Sequence, residues 1–330
     1  MLQKWKKAVI HLECATDSDI FYERIKRIDE QRVLLEQGKI THERFLAEIL
    51  GRSRDIRIHG TALFLIDAGR RYLLTARHVV WDELSAKREL DEESKRVISC
   101  PEHMRAPLLQ SAAERVKSKI FNIIFRVPSI DEITGRERRG FLMNLGAGTQ
   151  FAVPYTFSDP EFDLALISLD QRDTSFADEL SALGYVLVAT ERITDGPEAE
   201  GQEVFTVGFP SSTALLGQIS QHPASAQWSS SHFSLPVCTF GRVSMLHDKL
   251  PFFWADMSIC PGNSGGPVVA GDRLVGIVSA QATLPIDGVP EVRTRIPFGR
   301  IIKTKFVRSL LETQAAKDQW CGRPPKPTSP

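Results

Sequence analysis

The sequence predicts a mostly β protein with helical insertions and a C-terminal helix. Short apolar runs bounded by turn residues, which are typical of strands, recur along the chain, for example at 71–76, 162–169 and 274–278. Segments 18–50 and 302–311 instead have apolar residues at helical spacing. The 330 residues are 25% charged and 42% hydrophobic, an ordinary globular composition. This length suits one large domain or two barrels that share an interface.

The N-terminal part of the chain changes its pattern twice. Residues 7–13 alternate weakly and are predicted as a first strand. The segment 18–50 then follows helical spacing, with Gly38 as an interruption and Thr41 placed to cap a second helix. We therefore expect a helical hairpin inserted after the first strand. It is either a packing decoration or a docking or regulatory element.

A predicted hairpin delivers the first candidate for chemistry. Strand-like runs at 57–66 and 71–76 flank a turn, and His78 follows directly. Histidine has an unperturbed pKa near neutrality, which makes it a natural general base. The alternative is a buried histidine with a structural role.

An acidic residue at the start of an apolar strand is the second candidate. Asp163 lies in the run 162–169, where a carboxylate requires a partner. It would accept the imidazole N–H of the histidine and set its tautomer. Asp159 is a rival, in a looser Ser-Asp-Pro turn four residues earlier.

The glycine-rich segment 260–269 (CPGNSGGPVV) contains the third candidate, Ser264. Glycines release the backbone from its usual φ limits, so that consecutive N–H groups can form a concavity for an anion. Ser264 could attack a carbonyl there while the segment Gly262, Asn263 and Ser264 forms an oxyanion hole. The alternative is a turn with an incidental serine.

The order of the three candidates separates known catalytic folds. No histidine follows Ser264, which excludes the α/β-hydrolase order of Ser, acid, His. The segments 75–80 (TARHVV), 163–166 (DLAL) and 262–267 (GNSGGP) resemble the three motifs of chymotrypsin-fold serine peptidases. They look most like the bacterial HtrA-type and staphylococcal glutamyl-endopeptidase branch, and the DLAL pattern favours Asp163 over Asp159.

The resemblance implies two six-stranded antiparallel β-barrels, a chymotrypsin-like double barrel. It divides the chain as follows: 1–170, a first half with His78 and Asp163, the helical insertion 18–50 and an expanded region 82–155; 171–201, a connection; 202–318, a second half with Ser264 and a closing helix; and 319–330, a proline-rich tail. The assigned segments leave no room for a PDZ domain, so we expect none, and in this the chain departs from HtrA proteases.

The same resemblance assigns roles. His78 would deprotonate Ser264, Asp163 would orient His78, and water would hydrolyse an acyl-enzyme. The implied lining of the specificity pocket is Cys260, Val278, Ser279, Ala280 and Arg293. Arg293 or Arg295 could favour an acidic side chain if turned inward. Glutamyl endopeptidases place a histidine in the strand corresponding to 277–279, and this chain has none there, so the specificity stays open.

Several other functions are not indicated. No His/Cys cluster has zinc spacing and no Walker or Rossmann glycine pattern is present, so we expect no metal and no cofactor. Lys+Arg and Asp+Glu both number 41, which gives no net charge to attract nucleic acid or an anionic membrane.

The sequence contains no run of eighteen apolar residues, so it predicts no membrane-spanning helix. Five widely spread cysteines fit reduced thiols, and the N-terminus lacks a signal-peptide core, which predicts a cytoplasmic location.

The predicted function is an intracellular trypsin-like serine endopeptidase acting on protein or peptide substrates. Such an enzyme requires restraint, which predicts a regulatory protein partner or an inhibitory role for the insertions. Two alternatives remain open. One is a catalytically silent module that binds peptides on a protease fold, and the other is an esterase-like hydrolase with the same triad.

Overall fold

The computed structural model describes residues 1–16, 19–50, 56–117, 122–126, 142–144, 154–170, 175–211, 215–216, 232–233 and 235–320. The proline-rich tail predicted at 319–330 lies outside these residues from position 321 onward. Parts of the expanded region 82–155 also lie outside them.

The first half begins with a helix, a strand and two more helices before the hairpin that precedes His78. These elements are α1 (Leu2–Ala8), β1 (Val9–Thr16), α2 (Asp19–Glu36), α3 (His42–Leu50), β2 (Ile56–Asp67) and β3 (Arg70–Ala76). Two helices therefore occupy the segment 18–50, between the first two strands. The β2–β3 turn uses positive φ angles at Ala68 and Gly69, of 45° and 75°.

Helices also fill the start of the expanded region. The elements are α4 (Arg77–Val80), α5 (Glu83–Val97), α6 (Glu102–Val116), β4 (Asn122–Arg126), β5 (Leu142–Asn144), β6 (Tyr155–Phe157) and β7 (Leu164–Ser168). Helix α5 begins where its sequence provides a cap, because the Asp82 carboxylate accepts the Ser85 backbone N–H at 2.9 Å. Helices α5 and α6 pack against each other, with Trp81 donating its indole N–H to the carbonyl of Val116.

The first half forms one eight-stranded sheet. Its order is β5-β4-β1-β2-β3-β7-β6, and β8 (Val188–Ala189) pairs in parallel with β2. The prediction of a closed six-stranded barrel is wrong for this half, within the residues described. The edge strands β5 and β6 are only three residues long. The chain between them, 145–153, lies outside the described residues, and among the described residues no ladder joins the two edges.

The second half contains the closed barrel that the sequence predicts. After α7 (Ser175–Ala182), β8 and a 3₁₀ turn (Thr190–Arg192), its elements are β9 (Glu203–Gly208), β10 (Leu215–Leu216), β11 (His232–Phe233), β12 (Val237–Met245), β13 (Phe252–Ala255), β14 (Pro267–Ala270), β15 (Arg273–Ile286), β16 (Val289–Lys303) and α8 (Lys305–Trp320). The barrel order is β12-β13-β16-β15-β14-β9, and β10 and β11 form a separate pair.

Helix α8 is the predicted C-terminal helix, and it connects the barrel to the first sheet. Its apolar side chains Val307 and Leu310 belong to a buried cluster that contains residues of both halves, such as Leu74 and Val269. Its buried polar residues are also satisfied: Thr156 Oγ1 donates to Gln314 Oε1 at 2.7 Å. The two halves therefore share one core. No helix in the described part of the chain is long and apolar enough to cross a membrane.

Candidate active site

The pairing of β3 with β7 brings His78 to Asp163. Ala76 lies opposite Leu164 in this ladder, and the Arg77 N–H donates to the Asp163 carbonyl at 3.0 Å. His78 Nδ1 and Asp163 Oδ2 are 2.8 Å apart, a distance at which the ring N–H donates to an ionised carboxylate. The His78 backbone N–H donates to the other oxygen, Oδ1, at 3.0 Å. Asp163 has a φ of +46°, a left-handed conformation that aspartate tolerates better than most residues.

These contacts keep Asp163 ionised. Burial acts to raise the pKa of its carboxyl group, since its side chain is only 14% exposed. The hydrogen bonds and the positive charge of His78, together with the Ser279 hydroxyl, outweigh burial and hold the pKa below its usual value. Asp159 is exposed and its carboxylate makes no hydrogen bond within the described residues, so it is Asp163 that contacts the histidine.

A second chain of contacts supports the same carboxylate from the barrel. Ser279 Oγ donates to Asp163 Oδ2 at 2.6 Å, and Arg300 Nη1 donates to Ser279 Oγ at 3.3 Å. Arg300 is fixed in turn by the Glu161 carbonyl at 3.2 Å and by stacking over the Phe252 ring at 4.6 Å. The carboxylate of the first half is thus hydrogen-bonded from both halves.

The loop around Ser264 has positive φ angles at two of its glycines. Gly262 and Gly265 have φ angles of +97° and +84°. The Asn263 N–H donates to the Cys260 carbonyl at 3.0 Å, so it is already engaged. Among the described residues, no hydrogen bond uses the N–H groups of Gly262 and Ser264. These two groups are the ones left to bind an anion.

Thr61 of strand β2 holds this loop against the first sheet. Its N–H donates to the Ser264 carbonyl at 2.8 Å, and its Oγ1 donates to the Gly262 carbonyl at 2.7 Å. The contact is too close for a side chain at position 265, because a Cβ there would lie 2.1 Å from the Thr61 carbonyl oxygen. Glycine is required at this position by both its φ angle and its surroundings.

Ser264 and His78 line the same cleft without a hydrogen bond between them in the described structure. The Ser264 hydroxyl instead donates to the Ser279 carbonyl at 3.4 Å. This is a long hydrogen bond and therefore a weak one. Catalytic hydrogen bonds are often long or misaligned before substrate binds.

The cleft has a volume of about 510 Å³ and extends from the Ser264 loop to the β15–β16 hairpin. Three of the predicted pocket residues line it: Cys260, Ser279 and Ala280. Val278 is fully buried in the barrel core, outside the lining. Arg293 is also outside the lining, and its Nε donates to Thr283 Oγ1 at 2.9 Å. Arg295, two residues further, does line the cleft.

Comparison with known proteins decides the family. The model of the trypsin-like peptidase domain matches residues 60–277. The chain belongs to the trypsin-like peptidase domain family. Among curated proteins, none matches the chain.

Solved structures of similar fold include a thermostable serine protease, AL20, from an extremophilic microorganism. It is 12% identical, with a TM-score of 0.44, and the alignment covers 94% of this chain and 98% of that one. Human heparin binding protein is 11% identical, with a TM-score of 0.42, over 84% of this chain and 92% of its own.

Sequence reasoning missed several residues of this trypsin-like peptidase domain. The sequence patterns place Thr61 and His59 only within the strand-like run 57–66, and they assign no role to Arg300. His59 lines the cleft, with its Nδ1 3.3 Å from His11 Nε2. The sequence does contain a pattern that could have identified Thr61. It follows Gly60 in the segment 60–64 (GTALF), in the first strand of the hairpin that precedes His78. No local pattern distinguishes Arg300, whose partners lie far away in sequence.

Metal-ligating side chains are not clustered in the described part of this trypsin-like peptidase domain. No group of three or more His, Cys, Asp or Glu side chains that could hold a metal ion lies among these residues. The arrangement instead suits nucleophilic chemistry with a hydroxyl, an imidazole and a carboxylate.

Proposed function

We propose that the protein is a serine endopeptidase that cleaves protein substrates through an acyl-enzyme. The observation that supports this most is the His78–Asp163 pair, at 2.8 Å, in the same cleft as Ser264. With Nδ1 bonded to the carboxylate, the other ring nitrogen of His78 is the one that acts as a base. A carboxylate held ionised favours the imidazolium that forms during the reaction.

In the proposed reaction, His78 acts first as a base and then as an acid in each of two steps, acylation and deacylation. His78 Nε2 takes the proton of Ser264 as the hydroxyl oxygen attacks the substrate carbonyl carbon. The free N–H groups of Gly262 and Ser264 stabilise the resulting oxyanion. His78 then gives its proton to the leaving amine, and water repeats the sequence to release the acid. Ser264 must first leave the Ser279 carbonyl, which costs little because the hydrogen bond of 3.4 Å is weak.

The test is reaction of the purified protein with a fluorophosphonate probe, read by intact mass. We expect one equivalent on the wild type and none on Ser264→Ala or His78→Ala. Ser244→Ala, which removes a hydroxyl on the barrel surface that bonds only to the Arg242 carbonyl, should still be labelled. Peptidase activity on an unfolded protein substrate should fall by about 10⁶-fold in Ser264→Ala. Labelling that survives in Ser264→Ala would contradict the assignment.

One observation favours a second candidate, a silent module that binds peptides. Ser264 bonds to Ser279 rather than to His78 in the described structure. A silent module would bind peptides in the cleft without reacting with the probe or cleaving them. If the probe reacts and esters are cleaved while peptides are not, the esterase-like alternative applies.

Regulation is a further part of the proposal. We infer an intracellular enzyme held latent by a protein partner or by the insertions, with activation moving Ser264 onto His78. The four described cysteines are all free thiols, as a reducing compartment requires. Deletion of residues 19–50, which contain α2 and α3, should raise basal activity or remove dependence on a partner. Unchanged activity and unchanged dependence would rule out this insertion as the restraint.

A further inference from the structure

The hairpin of β15 and β16 forms one wall of the cleft and has a cationic face. Its register pairs Thr283 with Arg295 and Pro285 with Arg293. Directly paired residues project on the same side of a sheet, and so do residues two apart on one strand. Both arginines therefore stand on the face that carries Thr283. Since Thr283 and Arg295 line the cleft, this face is turned toward the substrate.

The two arginines differ in how their charge is used. The Arg293 guanidinium is held on the hairpin, with Nε donating to Thr283 Oγ1 at 2.9 Å and Nη2 to the Thr283 carbonyl at 3.4 Å. Arg295 has no hydrogen bond or ion pair with any residue that the structure describes. It lines the cleft with all of its guanidinium donors available to a ligand.

The other described residues that line the cleft carry no negative charge that would pair with Arg295 in place of a ligand. Among the cleft's described lining residues there is no Asp or Glu. Ile259 lines the cleft and packs against Gly299, where an added Cβ would lie 2.3 Å from Ile259 Cδ1. The floor of the cleft at Ile259 is therefore apolar. Among the described lining residues, no carboxylate is present to bind a lysine or arginine side chain of a substrate. The cleft is complementary to a side chain with an apolar stem and a negative end.

We propose that Arg295 forms a subsite for a carboxylate side chain, glutamate or aspartate, of the peptide substrate. The proposal rests on the proposed function, since it names the substrate class of the same cleft. A guanidinium presents donors in a planar fork that matches a carboxylate. Arg295 is exposed, so solvent screens the pair and the expected preference is at most about fivefold in kcat/KM.

The experiment compares fluorogenic peptides that differ at a single position before the cleaved bond, with Glu, Gln or Lys there. Each position is varied in turn. The wild type should prefer Glu over Gln by up to about fivefold at one of them. Arg295→Gln should remove that preference, and Arg295→Glu should shift it toward Lys. Arg308→Gln, which removes the same charge from an exposed position of helix α8, should keep the wild-type preference.

Two outcomes would overturn the proposal. One is a wild type that cleaves Glu and Gln peptides equally at every position. The other is an acidic preference that survives in Arg295→Gln or falls equally in Arg293→Gln, since a general cationic face would then be responsible.

A binding measurement separates failure of the subsite from failure of the proposed function. The same peptides are titrated against Ser264→Ala, with and without Arg295→Gln, by fluorescence anisotropy. Binding of the Glu peptide should weaken by up to about fivefold when Arg295 is lost, whether or not the wild type cleaves it. If neither labelling nor cleavage occurs, the proposed function fails, while this titration still decides the subsite.

Discussion

The open sheet of the first half and the closed barrel of the second contribute to the cleft in different ways. In the sheet, β3 pairs with β7, and the Arg77 N–H extends this ladder by one hydrogen bond, which brings His78 to Asp163. The barrel positions Ser264 on a loop that needs Thr61 of the other half for two of its hydrogen bonds. The His78–Asp163 contact thus forms between elements of one half, and Ser279 of the barrel is an added donor to the carboxylate. The nucleophile in the closed barrel depends on the interface between the halves.

This comparison predicts that the pair can be disabled without disturbing the fold. Asp163→Asn should keep the structure, because asparagine also tolerates the left-handed backbone at this position. Its amide N–H₂ cannot accept the Nδ1 proton, so His78 takes the wrong tautomer. We expect kcat to fall by about 10⁴-fold, measured on a peptide substrate. Circular dichroism and thermal unfolding serve as the control for structure, and loss of cooperative unfolding in this variant would show that the fold itself depends on the carboxylate.

The next effect concerns the interface. Gly265→Ala places a Cβ against the Thr61 carbonyl and adds strain at a φ of +84°. We expect a loss of about 2–5 kcal/mol in the free energy of unfolding, with loss of probe labelling. Gly288 is the matched control, since it has a φ of +83° and nothing within 4 Å of an added Cβ. Gly288→Ala should cost only about 1–2 kcal/mol. Equal losses in urea unfolding would mean that the interface contact contributes nothing.

A smaller effect isolates the Thr61 hydroxyl. Thr61→Val keeps the shape but leaves the buried Gly262 carbonyl and Phe209 N–H without their partner. We expect a loss of about 1–3 kcal/mol in the free energy of unfolding. Thr206 is an equally buried threonine, and its Oγ1 has no hydrogen-bond partner among the described residues. Thr206→Val should therefore be neutral or stabilising, and a similar loss in both variants would count against the role of Thr61.

The same contrast explains how much could be predicted from the sequence. Local patterns predicted the mostly β class, the β2–β3 hairpin, the strand after Asp163, the helices within 18–50 and the C-terminal helix. They also placed His78, Asp163 and Ser264 in an order that implies one cleft. Patterns within a few residues of each other are sufficient for such features.

Contacts between distant residues could not be predicted in this way. Thr61 reaches Gly262 across about two hundred positions, and Arg300 reaches Ser279 only because β15 and β16 pair. The open first sheet was missed for a related reason. Closure depends on how the edge strands β5 and β6 meet, and the three-residue strands give no sequence signal for their pairing. Val278 was placed in the pocket by strand membership, although alternation along β15 turns it into the barrel core.

The smallest expected effect is a pH dependence that belongs to the pair in the open sheet. The pKa of Asp163 is held below its usual value, mainly by His78 acting against burial. The unfolded chain therefore binds more protons than the folded one as the pH falls below about 4. The contribution of Asp163 to stability is fully present above that pH and is lost as the pH falls through the lowered pKa. Urea unfolding of the wild type and Asp163→Asn should then converge toward low pH. A constant difference between them from pH 7 to pH 3 would show that the ionised carboxylate does not stabilise this half.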